Sequence, residues 1–246
     1  MLSVIPPVLV LALSENEARL VDVTPYSMGP VKVPGMPDGA RRALRLDLGG
    51  DRETAARAQI AVQPKERLHE YARMVRDAVE PVVVHHRALL VLAVAEPLAG
   101  IYRAEAEYPL TAEESIPGDR DHDSLDKLAA AAAPIADRER RRRASRELER
   151  FAVMPSRGLG LTETAEVVSA LRSGAVATLL VDPDRQLPVP AQAFSREVTL
   201  DLVDEAVRRA LSTNADIVCV EPGDLPAAQP LAAILRYQPE PRAPRA

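Results

Sequence analysis

The chain has 246 residues, 47% hydrophobic and 27% charged, with a formal net charge of −5. That balance belongs to one large or two compact globular domains and excludes a disordered chain. One cysteine, Cys219, excludes a disulfide framework and a cysteine-built zinc cluster; 3% aromatics with no Trp argue against a stacking platform for single-stranded bases; the acidic balance confines any nucleic-acid contact to a local basic patch.

Met1 to Leu13 is apolar, but no Lys or Arg precedes it and Pro6-Pro7 interrupts it. It is read as a buried first strand, not a targeting segment. It is also shorter than the roughly 20 apolar residues a membrane span needs, so a cytoplasmic protein without a membrane partner is expected. Val8 to Leu13 and Ala18 to Val23 flank the polar turn Ser14–Glu17 and predict a hairpin, with Val31–Val33 as a possible third strand. From Gly35 to Gln63 no clear period survives. Pro64 opens a helix with Leu68, Tyr71, Ala72, Val75, Ala78 and Val79 on one face, closed by Pro81. Ala88 to Val94 reads as a strand buried on both faces. Glu96 to Ala104 reads as a short helix, Gly118 to Asp123 as a turn, and Ser124 to about Phe151 as a long helix kinked at Pro134.

A second unit follows. Glu163 to Arg172 is predicted helical and closed by Gly174, and Ala175 to Val181 is a buried strand. Leu200 to Leu211 forms an amphipathic helix with Leu202, Val203, Ala206, Val207, Ala210 and Leu211 inward. Ile217 to Val220 and Leu231 to Leu235 are two further strands. The alternation predicts a small α/β sandwich.

Few constellations carry chemistry. His85 and His86 are adjacent, so on a strand they face opposite sides and cannot share a metal; they are read as strand-edge histidines. No metal site and no cofactor are expected. A G-x-S-x-G and a P-loop are both absent from the sequence, and Gly158-Leu-Gly160 lacks a preceding strand. Arginine supplies 28 of the 31 basic residues, a composition that suits bidentate phosphate contacts and equally follows from coding bias. It is densest over Arg138 to Arg150, where Arg142, Arg146 and Arg150 share a helix face. Glu139 and Glu147 each lie four residues from Arg143 and could neutralise part of the run. A solvated helix and a phosphate-contacting face are both open here. At Leu48–Arg52 the pair Gly49-Gly50 offers bare backbone for close approach, followed by Asp51, Arg52 and Arg57.

Taken together, ALSENEARL at 12–20, HEYARMVRDAVEPVV at 69–83, LLVLAVAEPL at 89–98, ESIPGD at 114–119, ALRSGAVATLLVDPD at 170–184 and AAILRY at 232–237 resemble the archaeal and eukaryotic class 1 release factor and Pelota superfamily, specifically its bacterial relatives. The resemblance implies an α/β protein: an RNase H-like middle domain over 1–125, then a kink-turn-binding ribosomal-protein-like α/β sandwich over 126–246. It aligns Gly49 and Gly50 with the family's Gly-Gly-Gln loop, with Asp51 in place of the Gln. An anionic Asp has no amide donor to organise water at an ester, so no catalytic residue is expected. Nothing matches the family's codon-reading first domain, so decoding is not expected.

The implied function is a ribosome-associated role in translation, of the rescue or hibernation type. The implied partners are ribosomal RNA, the tRNA acceptor region and a translational GTPase. Gly49, Gly50, Asp51, Arg52, Arg57, Arg142, Arg146 and Arg150 are the expected RNA contacts. Three other readings stay open: a peptidyl-tRNA ester hydrolase using Gly49-Gly50-Asp51, a metal-dependent nuclease for which Asp22 is a lone candidate carboxylate, and a protein-interaction scaffold away from the ribosome.

Overall fold

A computed structural model describes residues 6–46, 64–183, 202–226 and 229–238. The chain divides into two compact units, Pro6–Glu139 and the residues from Arg140 onward. The division falls inside the long helix, whereas the sequence reading places a boundary at its start, between 125 and 126.

The first unit is built on β1 (Val8–Leu13), whose six apolar residues are explained by its central place in a sheet covered on both faces. Leu9, Leu11 and Leu13 join one hydrophobic cluster, and Val10 and Ala12 join another. On one side of it lie β2 (Ala18–Asp22) and β3 (Gly29–Val31); on the other lie β4 (Leu89–Val94) and β5 (Thr111–Ile116). The sheet order is β3-β2-β1-β4-β5. The β1–β2 and β2–β3 pairs are antiparallel, and the β1–β4 and β4–β5 pairs are parallel. This is the expected RNase H-like layout.

Three helices lie against the Leu9–Leu13 face: α1 (Ala40–Leu46), α2 (Pro64–His86) and α3 (Leu98–Glu105). The α2 stripe is Tyr71, Ala72, Val75, Val79 and Val83, all fully buried, while Leu68 and Ala78 are only half-buried. The helix therefore runs past Pro81 to His86, contrary to the expected stop. Pro81 is exposed, and the carbonyl it leaves without an N–H partner belongs to exposed Asp77, where water can serve. His85 and His86 consequently form the last helical turn and not a strand edge, with their rings edge-on at 5.2 Å. The Tyr108 hydroxyl fastens this end, 2.8 Å from the Ala88 carbonyl and 3.1 Å from that of Val83.

The opposite face is covered by α4 (Leu125–Ala152), through Leu128, Ala132 and Ile135. Helix α4 also continues through its internal proline, Pro134, which is exposed as Pro81 is.

In the second unit β6 (Gly160–Leu161), β7 (Val176–Val181), β8 (Asp216–Cys219) and β9 (Leu231–Leu235) form a sheet of order β6-β9-β7-β8. Helices α5 (Thr164–Arg172) and α6 (Leu202–Ser212) cover one face through Val167, Leu171, Val203, Val207 and Ala210. Leu211, expected inward, is 49% exposed, because the α6 stripe turns away from it after Ala210. The far face receives the second half of α4.

Three helix-to-strand junctions share one construction. Arg87, Gly174 and Asn214 adopt φ of 49°, 69° and 58°. Each donates its N–H three residues back, and a fully buried alanine then donates five residues back: Ala88 to Val83, Ala175 to Ala170, Ala215 to Ala210. This is the Schellman closure, which satisfies the last helical carbonyls. The next residue begins β4, β7 or β8.

Candidate nucleic-acid interface

The arginine run occupies the last turns of α4. Ala144 and Phe151 are buried there, with Leu148 beside them, against Leu180, Val218, Ala232 and Ile234. At 3.6 residues per turn this apolar stripe fixes the helix's rotation, and Arg142 and Arg146 fall roughly opposite it. Both are exposed. Arg150 is exposed too, and its Nη1 lies 3.2 Å from Glu147 Oε2.

The arginines flanking that outward row form ion pairs as well. Arg141 Nε meets Glu221 Oε1 at 3.1 Å, and Arg143 Nη2 reaches Asp216 Oδ1 at 3.7 Å. They tie the two sides of the helix to the second unit, on either side of the exposed Arg142 and Arg146. Part of the run is neutralised from within the helix, as its spacing suggests, by Glu147 on Arg150, while Arg143 reaches Asp216 of the second unit. Arg138, at the head of the run, donates from Nε at 2.9 Å and from Nη2 at 2.5 Å to the two oxygens of Glu114. The Ala144-Leu148-Phe151 spacing was the available sequence signal for these roles, since it identifies which arginines must flank the packed stripe.

Gly49, Gly50, Asp51, Arg52 and Arg57 lie outside the described residues. The helices on either side of them share one cluster, Ala40 and Ala43 from α1 with Tyr71 and Val75 from α2.

Other candidates resolve into structural parts. Asp22 holds its own turn: Oδ1 accepts the Thr24 N–H and Oδ2 the Ser27 hydroxyl, both at 2.7 Å. Among the described residues no group of three His, Cys, Asp or Glu side chains is placed to hold a metal ion, and no helix is long and apolar enough to cross a membrane. Cys219 is half-buried, and burial pushes its thiol up, opposed by the charges of Arg140 and Arg143.

A model of the bacterial archaeo-eukaryotic release factor family 11 matches residues 7–142 of the sequence. Among solved structures, an archaeal Pelota, described with ABCE1 as ribosome-bound, matches at 19% identity with a TM-score of 0.50 over 96% of this chain. Dom34 from S. cerevisiae, described as a translation termination-like factor interacting with Hbs1, matches at 13% identity with a TM-score of 0.52 over 95% of this chain. The chain spans 62% and 63% of the length of these two structures. At such identities the likeness is one of fold, and it covers both α/β units. No curated protein matches the sequence.

Proposed function

From the premise that the chain belongs to the bacterial archaeo-eukaryotic release factor family 11, we propose that it is a ribosome-associated factor in translation, of the rescue or hibernation type. The outward arginine row of α4 is the observation that carries this reading. Arg142 and Arg146 are exposed between two flanks pinned by ion pairs. That is how a helix presents guanidinium groups to a phosphate backbone without losing its seat. The segment with Gly49, Gly50, Asp51, Arg52 and Arg57 would meet the tRNA acceptor region, with Asp51 disfavouring ester hydrolysis. A translational GTPase is a proposed partner, in line with the description of Dom34 as interacting with Hbs1.

The test is co-sedimentation of the full chain with ribosomes from growing and from stressed cells across a salt series. Binding that weakens with salt and is lost in Arg142→Glu/Arg146→Glu supports the proposal. No binding to either ribosome preparation at low salt sinks it.

A further inference from the structure

The hairpin joining β2 to β3 carries the most exposed aromatic ring among the described residues. Tyr71, Tyr102 and Phe151 are buried, and the Tyr108 hydroxyl is tied to two carbonyls. Tyr26, in the turn between Asp22 and Ser27, is 94% exposed.

A lone apolar side chain at a surface is ordinary. Two further observations set this one apart. The first is that its turn is fixed before any partner arrives. Asp22 accepts the Thr24 N–H and the Ser27 hydroxyl, and the Ser27 N–H donates to the Thr24 carbonyl at 3.1 Å. The turn is also tied to the head of the central strand. There the Val8 N–H donates to Thr24 Oγ1 at 3.1 Å, and the Val23 N–H donates to the Val8 carbonyl at 3.0 Å. The backbone under the ring is already ordered, which lowers the entropy lost when the ring is covered.

The second observation is charge. From Val23 to Pro37 the only charged residue is Lys32, in a protein of net charge −5 with 27% charged residues. The carboxylates that bound this stretch are occupied, Asp22 within the turn and Asp38 by Arg42 at 2.7 Å. Lys32 is exposed and forms no ion pair among the described residues. It follows Val31, the last residue of β3, about 10 Å along the strand from Gly29. Pro25, Met28 and Pro30 are exposed on the same hairpin, and none of them repels a phosphate.

A flat π-face on a hairpin with one cation and no carboxylate suits an unpaired nucleobase, because every base has a face to stack and a phosphate beside it. A protein cleft also receives tyrosines, but it gives no reason for a stretch emptied of carboxylates. One ring takes one base, so this is not the multi-ring platform against which the aromatic content argues. We propose that Tyr26 stacks on one unpaired base of RNA and that Lys32 meets a phosphate of the same strand. The proposal rests on the ribosomal reading for where that RNA is met, and the experiment separates the two.

The chain has no Trp, so Tyr26→Trp introduces a single indole whose emission reports stacking at this position alone. The full-length variant is titrated with a single-stranded RNA decamer and with an abasic decamer of equal charge. Saturable quenching by the first and none by the second is expected, while Tyr237→Trp, at the other exposed tyrosine, should be quenched by neither. In affinity for the RNA decamer, Tyr26→Ala should lose about tenfold, and Tyr26→Phe should match the wild type. Lys32→Gln should reduce the slope of log affinity against log salt by about 0.7. Absence of quenching, or equal quenching by the abasic strand, overturns the proposal. Co-sedimentation with ribosomes then tells the two readings apart. Equal ribosome binding by the wild type and Tyr26→Ala sinks the Tyr26 contact and leaves the ribosomal reading standing. Quenching by the RNA decamer without any ribosome binding keeps the Tyr26 contact and sinks the ribosomal reading. Weaker ribosome binding by Tyr26→Ala without quenching assigns the ring to a protein and overturns the RNA contact.

Discussion

The two halves of α4 differ in composition and in what they face. The first half is alanine-rich and buries Leu128, Ala132, Ile135 and Ala136 in the first unit. The second half is arginine-rich and buries only Ala144 and Phe151, with Leu148 half-buried beside them, against the second sheet. Both are helical because alanine and arginine are both strong helix formers. The contrast teaches that helix propensity determined the element, while composition determined the chemistry of the face left outside. The first half exposes short side chains such as Ala130, Ala133 and Pro134 among a few charges, and the second exposes Arg142 and Arg146 between arginines held in ion pairs.

Breaking each half should expose that difference. Phe151→Ala should cost about 4 kcal/mol by chemical denaturation, and Leu128→Ala about 3, since each removes a buried anchor. If Phe151→Ala were nearly silent, the second half would not be seated as described. Arg142→Glu/Arg146→Glu should instead leave stability within about 0.5 kcal/mol, and lower the slope of log affinity against log salt for ribosomes by about 1–2. Equal loss of stability and affinity would merge the two halves into one structural role. Replacing Pro134 by Ala restores a helical N–H in the first half and should stabilise the protein by about 1 kcal/mol, with ribosome affinity unchanged.

The smallest effect concerns charges matched within the first unit. The Glu105 carboxyl is held below its usual range, first by its hydrogen bond with His69 and then by Arg73. Its folded pKa is depressed, so its contribution is present above the ordinary carboxylate value and lost as pH falls through the lowered one. Glu105→Gln should therefore flatten the acid limb of a stability–pH curve. An unchanged limb would mean that the pair contributes nothing, as many exposed pairs do.

The apolar strands were legible because burial on both faces leaves a continuous run, and β9 begins and ends where the sequence placed it. β5 was missed as a strand because it is an edge of TAEESI composition, with only Ala112 and Ile116 buried. α1 was missed because seven residues with three arginines give one short turn of period, anchored by Ala40 and Ala43. Pro81 misled because a proline rule says nothing about whether water can reach the carbonyl left behind. In the candidate interface, the shared face of Arg142, Arg146 and Arg150 could be read from spacing, and its exposure is what the structure adds. The hydrogen bond from the Ser14 hydroxyl to Asp121 was not readable, since the two residues are distant in sequence and each passes alone for an ordinary turn residue.

The three matched helix exits make a prohibition on length changes. After each left-handed residue, a single buried alanine separates helix from strand. Adding one residue at Ala88, Ala175 or Ala215 would send every following side chain of that strand to the opposite face. Insertions in this family should therefore cluster at other loops and avoid these three joints.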